Sequence, residues 1–410
     1  MADLPRIDLD QIRRAAVADD DVVRETPVLG SRTISDRIGG GQIALKAENL
    51  QRTGSFKLRG ALAKIATLDP ASCEAGVVAG SAGNHGQAVA YAARARGIPC
   101  VVFMPIHASI QKIDGCTEFG ATVQLVGEMV DETLAAAEAY AREHGMAFIH
   151  PFEDPDVIAG QGGVGLELAR QVRDLSLVLV PVGGGGLISG VAIAVKAMKP
   201  DVRVVGVQVD RFAPLPGSLE QGVPVTVAST TPTIADGIAV KRPGELTLGL
   251  IRRYVDEVVV VPEDSVAEAM VLLLERAKLV VEGAGAVGVA ALLGGQVTPA
   301  EQGTTAVVLS GGNVDAGLLA SVARRHESQA GRRLVVQTRL PDRPGSLAGL
   351  LSLVGAQAAN LVDITHVREG IDLHVRETAV QLVLETRGAV HAREVLDAIV
   401  AAGYEVTTLG

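Results

Sequence analysis

The sequence predicts an α/β protein built on open, largely parallel sheets, followed by a smaller module that mixes helices with strands. Short apolar runs rich in β-branched residues alternate with alanine-rich helical stretches over most of the 410 residues, and this texture changes near residue 330. The composition agrees, because 48% hydrophobic and 20% charged residues are ordinary for a globular chain with sizeable cores.

The first elements alternate strand and helix three times. "AGVVAG" precedes "GNHGQAVAYAARARG", "PCVVFMP" precedes "ASIQKIDGCTEFG", and "ATVQLVG" precedes "EMVDETLAAAEAYAREHG". Four further apolar runs follow as "SLVLVPV", "VRVVGVQVD", "DEVVVVP" and "TTAVVLSGG". Nearly continuous apolar strands separated by amphipathic helices are typical of parallel sheets covered on both faces.

Residues 333–410 show a different order of elements. They read strand, helix, two strands, helix, strand, which is the βαββαβ order of a ferredoxin-like module. The polar stretch "ARRHESQAGRR" before them is a linker candidate. We therefore predict two domains, 1–328 and 333–410, with a small subdomain of about 45–150 inserted in the first.

Charge and cysteine content exclude several classes of partner. The net charge of −10 and 2% aromatic residues do not suit a nucleic-acid surface, which needs basic patches and stacking rings. Cys73, Cys100 and Cys116 form no CxxC pair, so neither a disulfide framework nor a zinc site is predicted, and a cytoplasmic location fits. The N-terminus lacks the apolar stretch of a signal peptide, and proline and glycine interrupt the apolar runs, so no membrane span is expected.

Four consecutive glycines, Gly183–Gly186, separate the apolar run "SLVLVPV" from a helical stretch. Such a turn lets several backbone N–H groups converge where the helix dipole is positive, which favours a phosphate. The spacing is not a P-loop, and Ser189 occupies the last glycine position of a GxGxxG pattern. A plain strand–helix turn would need only one glycine, so the anion site is the better interpretation.

Two other small-residue loops and one lysine are candidates for the same site. "SAGNHGQAVA" begins at Ser81 and offers a hydroxyl, an amide and an imidazole before a helix, although a simple N-cap would look similar. "VVLSGGN" places Ser310 at the end of an apolar strand, where ligands gather in parallel sheets, unless it is only a β-turn. Lys57 in "GSFKLRGA" is a solvated surface charge unless these loops complete a site around it.

In this order, "SFKLRGA", "SAGNHGQAVA", "HPFEDPDVIAGQGGVGLEL", "PVGGGGLISG" and "VLSGGN" resemble the fold-type II pyridoxal-phosphate enzymes, whose fold is that of the tryptophan synthase β chain. Among them, the chain resembles the threonine dehydratase (threonine ammonia-lyase) family over about residues 10–325. "LPDRPGSLAGLL" and "ANLVDITHVR" resemble an ACT regulatory domain. The resemblance implies pyridoxal 5′-phosphate as cofactor and two open twisted sheets in the catalytic core.

The resemblance also assigns residues to the cofactor. Lys57 would form the Schiff base with it, and Phe56 would lie near the pyridine ring. Ser310 would bond the pyridine nitrogen, and Asn84 the 3′ oxygen. Backbone N–H groups of the glycine loop would hold the phosphate, namely those of Gly183, Gly184, Gly185, Gly186 and Leu187.

The substrate implied is a small hydroxyamino acid. Its carboxylate would be bound by Ser81, Ala82 and Asn84. His85 is left without a role, and Glu282 in "VEGAGA" is either a family acidic position near the site or a surface helix residue. The implied reaction is deamination of L-threonine to 2-oxobutanoate and ammonia, with L-serine as a secondary substrate giving pyruvate.

Two residues separate this chain from relatives. Serine racemases carry a serine where this chain has Ala82, and a methyl group cannot protonate the opposite face of the substrate, so we expect little racemisation. Relatives with a divalent-ion site place a glutamate where this chain has Gln208, and a neutral amide is a weaker ligand for a hard cation. No divalent metal is predicted there, and potassium or sodium stays open.

The C-terminal module is expected to bind an amino-acid effector, with isoleucine and valine as candidates. Asp342, Gly345 and Ser346 lie between a strand and a helix, so the helix N-terminus can receive a carboxylate, and Asn360 resembles a family effector contact. The alternative is an assembly element without a ligand. The family implies a homotetramer or homodimer.

Three other functions remain open from the sequence. A threo-3-hydroxyaspartate ammonia-lyase would use the same cofactor residues. A cysteine synthase shares the fold, although "SAGNHGQ" and the C-terminal module resemble the dehydratases more. A non-catalytic amino-acid sensor would not need Lys57, Ser310 and all four glycines.

Overall fold

The computed structural model describes residues 7–18, 21–229, 231–368 and 373–409. Two predictions concern residues that lie partly outside these ranges. Residues 1–6 begin the N-terminal segment in which no signal peptide is predicted, and residues 369–372 and 410 belong to the predicted C-terminal domain. The chain divides into two compact units, one ending at Asp315 and the other beginning at Ala316. The domain limits 1–328 and 333–410 stay predictions.

The first unit contains two sheets and their covering helices. Its strands are β1 (Val28–Gly30), β2 (Gln42–Ala47), β3 (Val77–Gly80), β4 (Cys100–Met104), β5 (Thr122–Leu125), β6 (Ala147–Phe148), β7 (Leu175–Pro181), β8 (Arg203–Val209), β9 (Glu257–Val261) and β10 (Thr304–Leu309). Its helices are α1 (Leu9–Ala18), α2 (Arg32–Arg37), α3 (Lys57–Ala66), α4 (Pro70–Ala75), α5 (Asn84–Arg96), α6 (Ile110–Glu118), α7 (Val130–His144), α8 (Pro155–Gln171), α9 (Gly186–Met198), α10 (Leu215–Gln221), α11 (Glu245–Tyr254), α12 (Glu263–Leu272) and α13 (Gly283–Leu293).

The larger sheet has the order β1-β2-β10-β7-β8-β9, and all its pairs are parallel except β1 with β2. The smaller sheet is parallel, in the order β5-β4-β3-β6. Every apolar run that the sequence analysis assigned to a strand forms one, so the predicted α/β class is confirmed. Since β7 and β10 are parallel neighbours, the glycine loop after β7 and Ser310 after β10 lie at the same edge of the sheet.

Buried aliphatic side chains hold each layer in place. Val178 and Val308 of the larger sheet pack with Ile188 and Val191 of α9. In the smaller sheet, alanines of α5 let the helix approach Val102 closely. Among the described residues, no helix is long and apolar enough to cross a membrane.

The second unit consists of α14 (Ala316–Gln329), β11 (Arg333–Pro341), α15 (Ser346–Ala356), β12 (Asn360–Val367), β13 (Glu377–Glu385), α16 (Ala389–Ala401) and β14 (Val406–Thr408). Its antiparallel sheet has the order β12-β13-β11-β14, which confirms the predicted ferredoxin-like βαββαβ arrangement. Val336, Leu350, Leu382 and Ile399 form its core.

Candidate active site

Lys57 is the first residue of α3 and is partly buried. Its Nζ donates a hydrogen bond to the carbonyl of Pro151 at 2.8 Å and lies 5.2 Å from the centre of the Phe56 ring. Burial lowers the pKa of Lys57 to about 8, although the carboxyl of Glu282 opposes the shift. A lysine with this pKa is still mostly protonated at pH 7, but it has far more neutral, nucleophilic amine than an ordinary lysine.

The turn before Lys57 is paired with the segment that follows β10. The N–H of Phe56 donates to the carbonyl of Ser310 at 3.0 Å, and Ser55 forms an antiparallel bridge with Gly311. Gly54 has a φ of +73°, and a side chain there would collide with Asn313. This pairing brings the lysine and the buried Ser310 together, although more than 250 residues separate them in the chain.

A network of buried charges lies beneath the first turn of α3. We call Lys46, Glu48, Arg59 and Glu167 the buried ion network. The Arg59 guanidinium contacts Glu48 Oε1 at 2.8 Å and Glu167 Oε1 at 2.6 Å, and Lys46 Nζ lies 2.5 Å from Glu167 Oε2. Burial lowers the pKa of Arg59, but the two adjacent carboxylates outweigh it and raise the pKa above its usual value. The network ties β2, α3 and α8 together two residues from Lys57.

The asparagine loop connects β3 to α5. The N-cap residue of α5 is Gly83, which has no side chain, so no N-cap side chain bonds to the first backbone N–H groups of this helix. The N–H of Gly83 donates to Ser81 Oγ at 3.1 Å, which leaves the hydroxyl proton of Ser81 available. With Ala82 and Asn84 in the same turn, the loop can receive a carboxylate, as predicted for the substrate.

Asn84 belongs to a chain of polar side chains. Its Nδ2 donates to Glu282 Oε1 at 2.8 Å, and its Oδ1 accepts from Asn313 Nδ2 at 2.8 Å. Glu282 is only 4% exposed, so its interpretation as a surface residue is wrong. Burial, and secondly the carboxylate of Asp236, raise the pKa of Glu282 to about 8, so this carboxyl is mostly protonated at neutral pH. Gly311 makes room for it, because a Cβ there would lie 2.3 Å from Glu282 Oε1.

The glycine loop fits a phosphate. Gly185 has a φ of +98°, and a Cβ on Gly184 would lie 2.3 Å from the ring of Phe152, so neither position tolerates a side chain. Among the residues that the structure describes, the amides of Gly183, Gly184 and Gly185 donate to no protein acceptor. Three free amides just before α9 form a cradle for an anion. The Leu187 side chain packs in the core, and the roles predicted for the backbone N–H groups of Gly186 and Leu187 stay predictions.

The two histidines near Lys57 have structural contacts. His85 Nε2 lies 2.8 Å from the carbonyl of Ile149, to which it donates as a neutral ring. Burial, followed by the charge of Lys57, lowers the pKa of His85 to about 3, so its ring stays neutral at working pH and keeps the one proton that it donates to Ile149. His150 Nδ1 accepts from the backbone N–H of Phe152 and of Glu153. Neither ring is placed as a proton carrier for Lys57.

The segment 149–153 is a part of the site for which the sequence analysis assigned no role. Its carbonyls accept from His85 and Lys57, and the Phe152 ring packs on the glycine loop. It contains one glutamate, Glu153, whose contacts lie on α11. Only the resemblance of "HPFEDPDVIAGQGGVGLEL" pointed to this region, because none of these contacts is local in sequence.

Gln208, fully buried in β8, has both amide atoms engaged. Its Nε2 donates to the carbonyl of Val182 at 3.3 Å, and its Oε1 accepts from the N–H of Leu215 at 3.0 Å. The side chain thus links the residue before the glycine loop to the start of α10. The absence of a divalent ion stays a prediction.

Comparison with known proteins gives consistent results. A family model described as pyridoxal-phosphate dependent enzyme matches residues 20–311. The L-threonine ammonia-lyase of Thermotoga maritima is 44% identical over 404 residues, covering 98% of this chain and 100% of that protein. The structure of a threonine deaminase from T.th. is 40% identical with a TM-score of 0.70, covering 75% of this chain and 99% of that one. Maize serine racemase is 36% identical with a TM-score of 0.73, covering 78% and 98%.

Proposed function

Since the chain belongs to the family of pyridoxal-phosphate dependent enzymes, we propose that it deaminates L-threonine to 2-oxobutanoate and ammonia, with L-serine as a secondary substrate. The resemblance stated from the sequence, the fold type and the cofactor are confirmed. The observation that carries the proposal is a lysine of lowered pKa directly after Phe56, whose N–H bonds to the carbonyl of Ser310, in a chain 44% identical to an L-threonine ammonia-lyase over almost its whole length.

The cofactor would be held at its two ends by this chain. Amides of Gly183, Gly184 and Gly185 would bind its phosphate, and Ser310 and Asn84 would face its ring. Bound there, pyridoxal phosphate supplies an aldehyde that condenses with an amine and a ring that takes up the electrons left when the α proton is removed. Phe56, whose ring neighbours the lysine amine, would limit water beside the ring.

Lys57 would serve as the base that removes the α proton of the substrate. Its lowered pKa provides neutral amine, and the hydrogen bond from its Nζ to Pro151 fixes the position of that amine. The β-hydroxyl then leaves and takes a proton to become water. The enamine product tautomerises and reacts with a second water, which releases ammonia and the keto acid without further protein groups.

The asparagine loop would orient the substrate. Free amides at the start of α5 and the Ser81 hydroxyl would bind its carboxylate. Ala82 offers no proton to the face opposite Lys57, which supports elimination over racemisation. The protonated Glu282 adds no negative charge beside the carboxylate, whereas an ionised one would repel it.

Product identification tests this function. We expect purified protein to release 2-oxobutanoate from L-threonine, and pyruvate from L-serine with a lower kcat/KM. Chromatography of the derivatised keto acids distinguishes these products from the oxaloacetate that threo-3-hydroxyaspartate would give. A preference for hydroxyaspartate, or D-serine as main product from L-serine, would contradict the proposal.

We also infer that the second unit binds an amino-acid effector. A cleft of about 530 Å³ lies there, lined by Arg339, Pro341, Ser346, Glu377, Ala402, Gly403, Tyr404 and Glu405. Its charges of both signs suit a zwitterion, and Ser346 begins α15. Of the predicted effector residues, only Ser346 lines this cleft. Asp342 pairs with Arg368, and Asn360 Nδ2 donates to Glu385, while Gly345 caps α15 with a φ of +89°.

Calorimetry on the full chain tests the effector. We expect isoleucine or valine to bind outside the active site and to shift the threonine saturation curve, with a coupling of about 1–3 kcal/mol. Arg339→Gln should weaken that binding, because Arg339 is the cation of the cleft. Arg393→Gln, an exposed position on α16, is the matched control. If isoleucine, valine, leucine and threonine all fail to bind there, the second unit is an assembly element instead.

The remaining proposals concern location and assembly. We infer a cytoplasmic enzyme, which Cys73, Cys100 and Cys116 as free thiols support. A homotetramer or homodimer remains the expected assembly. Binding of potassium or sodium near the active site stays open.

A further inference from the structure

The hydroxyl of Thr247 is bonded to the glycine loop. Thr247 is fully buried in the first turn of α11, and its Oγ1 donates to the carbonyl of Gly184 at 2.8 Å. Two other acceptors lie farther away, Glu153 Oε2 at 3.2 Å and the carbonyl of Gly244 at 3.3 Å. A hydroxyl has one proton to donate, so the shortest contact, to Gly184, is the one it satisfies.

This bond determines the direction of the next amide. In a trans peptide the C=O and N–H groups point in opposite directions, and the structure has no cis peptide bond among its described residues. Because the Gly184 carbonyl points to Thr247, the N–H of Gly185 points away from Thr247. That N–H is one of the amides without a protein acceptor. We propose that Thr247 and Glu153 are positioning residues that orient the Gly184–Gly185 peptide toward the cofactor phosphate.

Glu153 holds Thr247 in place. Its Oε1 accepts from the N–H of Leu246 at 2.6 Å, and its Oε2 from the N–H of Thr247 at 3.3 Å. These are the second and third residues of α11, so Glu153 caps this helix from a distant part of the chain. Gly244 admits the carboxylate, because a Cβ there would lie 1.6 Å from Glu153 Oε2.

The loop needs such an anchor because of its composition. Four consecutive glycines populate many backbone conformations, and Gly185 must take a φ of +98°. The Thr247 bond on one side and the Phe152 ring on the other select one conformation before the ligand binds. Since Pro151 of the same segment accepts from Lys57, residues 151–153 connect the lysine to the phosphate cradle.

Binding of two ligands that differ by one phosphate tests the inference, which rests on the cofactor of the proposed function. The full chain is freed of cofactor and titrated with pyridoxal phosphate and with pyridoxal. We expect Thr247→Val, which keeps the shape and removes the hydroxyl, to raise the Kd for pyridoxal phosphate about tenfold. The Kd for pyridoxal stays unchanged, and Thr247→Ser restores tight binding. The ³¹P resonance of the bound phosphate shifts in the valine variant.

Two further variants make the test decisive. Thr133→Val is the matched control, since Thr133 is also fully buried and its hydroxyl bonds the carbonyl of Val126. Glu153→Gln should also raise the Kd for pyridoxal phosphate and leave that for pyridoxal unchanged. It serves as the test variant if Thr247→Val does not fold. Unchanged phosphate-ligand affinity, or equal weakening of both ligands, overturns the inference. A wild-type chain that binds no pyridoxal phosphate would instead refute the proposed function.

Discussion

We expect Lys57→Ala to lower kcat for threonine deamination by about a thousandfold or more, with the fold preserved. The reason is that no other described amine occupies this position, and both proposed roles of Lys57, amine partner and base, require it. Its removal deletes one hydrogen bond, to Pro151, and a side chain at the first position of α3. Release of 2-oxobutanoate measures the loss, and far-ultraviolet circular dichroism shows that α3 and its neighbours are still formed.

Two matched variants identify which property of Lys57 matters. Lys57→Arg keeps a positive charge but has no neutral form near working pH, so we expect it to be as inactive as the alanine variant. Lys64→Ala removes a lysine from the last turn of the same helix, where its amine pairs with Asp154 at 2.8 Å, and should keep most of the activity. If the kcat of Lys57→Ala is within tenfold of that of the parent, Lys57 does not have the proposed catalytic role.

The second large effect is on stability. Arg59→Met should lower the free energy of unfolding of the first unit by about 3–5 kcal/mol, because it leaves the buried carboxylates of Glu48 and Glu167 with Lys46 as their only cation in the network. The Glu48 side chain is fully buried, so its charge cannot be solvated. Urea denaturation followed by circular dichroism measures the change, with the transition of the first unit analysed separately.

An exposed ion pair provides the control. Arg203 and Glu257 lie 3.1 Å apart with side chains 56% and 47% exposed, and Arg203→Met should change stability by at most about 1 kcal/mol. Adding Glu48→Gln to Arg59→Met removes the unpaired charge and should recover part of the loss. If Arg59→Met is no more destabilising than Arg203→Met, the network contributes no more than a surface pair.

Local patterns in the sequence were sufficient for the fold and for the main loops. Parallel strands are continuous apolar runs, and the strand-end position of Ser310 follows from one short motif. Four consecutive glycines are more than a plain strand–helix turn needs, so they indicate an anion-binding loop. These signals are local because backbone conformation and strand burial are determined within a few residues. The role predicted for Lys57 depended on combining several such motifs through the resemblance.

Long-range polar contacts were beyond the reach of such patterns. Glu153 accepts a hydrogen bond from Leu246 at the start of α11, 93 residues away in sequence, and Glu282 accepts one from Asn84, 198 residues away. A glutamate that is buried and caps a distant helix is the same residue type as one exposed to solvent, so composition and periodicity cannot distinguish the two. For the same reason, Glu282 was compatible with a surface position until its burial was known.

The position of β10 determines when the site can form during synthesis. β10 is the last strand of the first unit along the chain, yet it lies between β2 and β7 in the larger sheet. A ribosome releases the chain from its N-terminus, so β2 and the group β7 to β9 emerge as two half-sheets with unpaired edges before Thr304 appears. When β10 joins them, it also brings Ser310 and Gly311 to the turn before Lys57. A nascent chain therefore has no complete lysine environment for its cofactor until nearly all of the first unit has been translated.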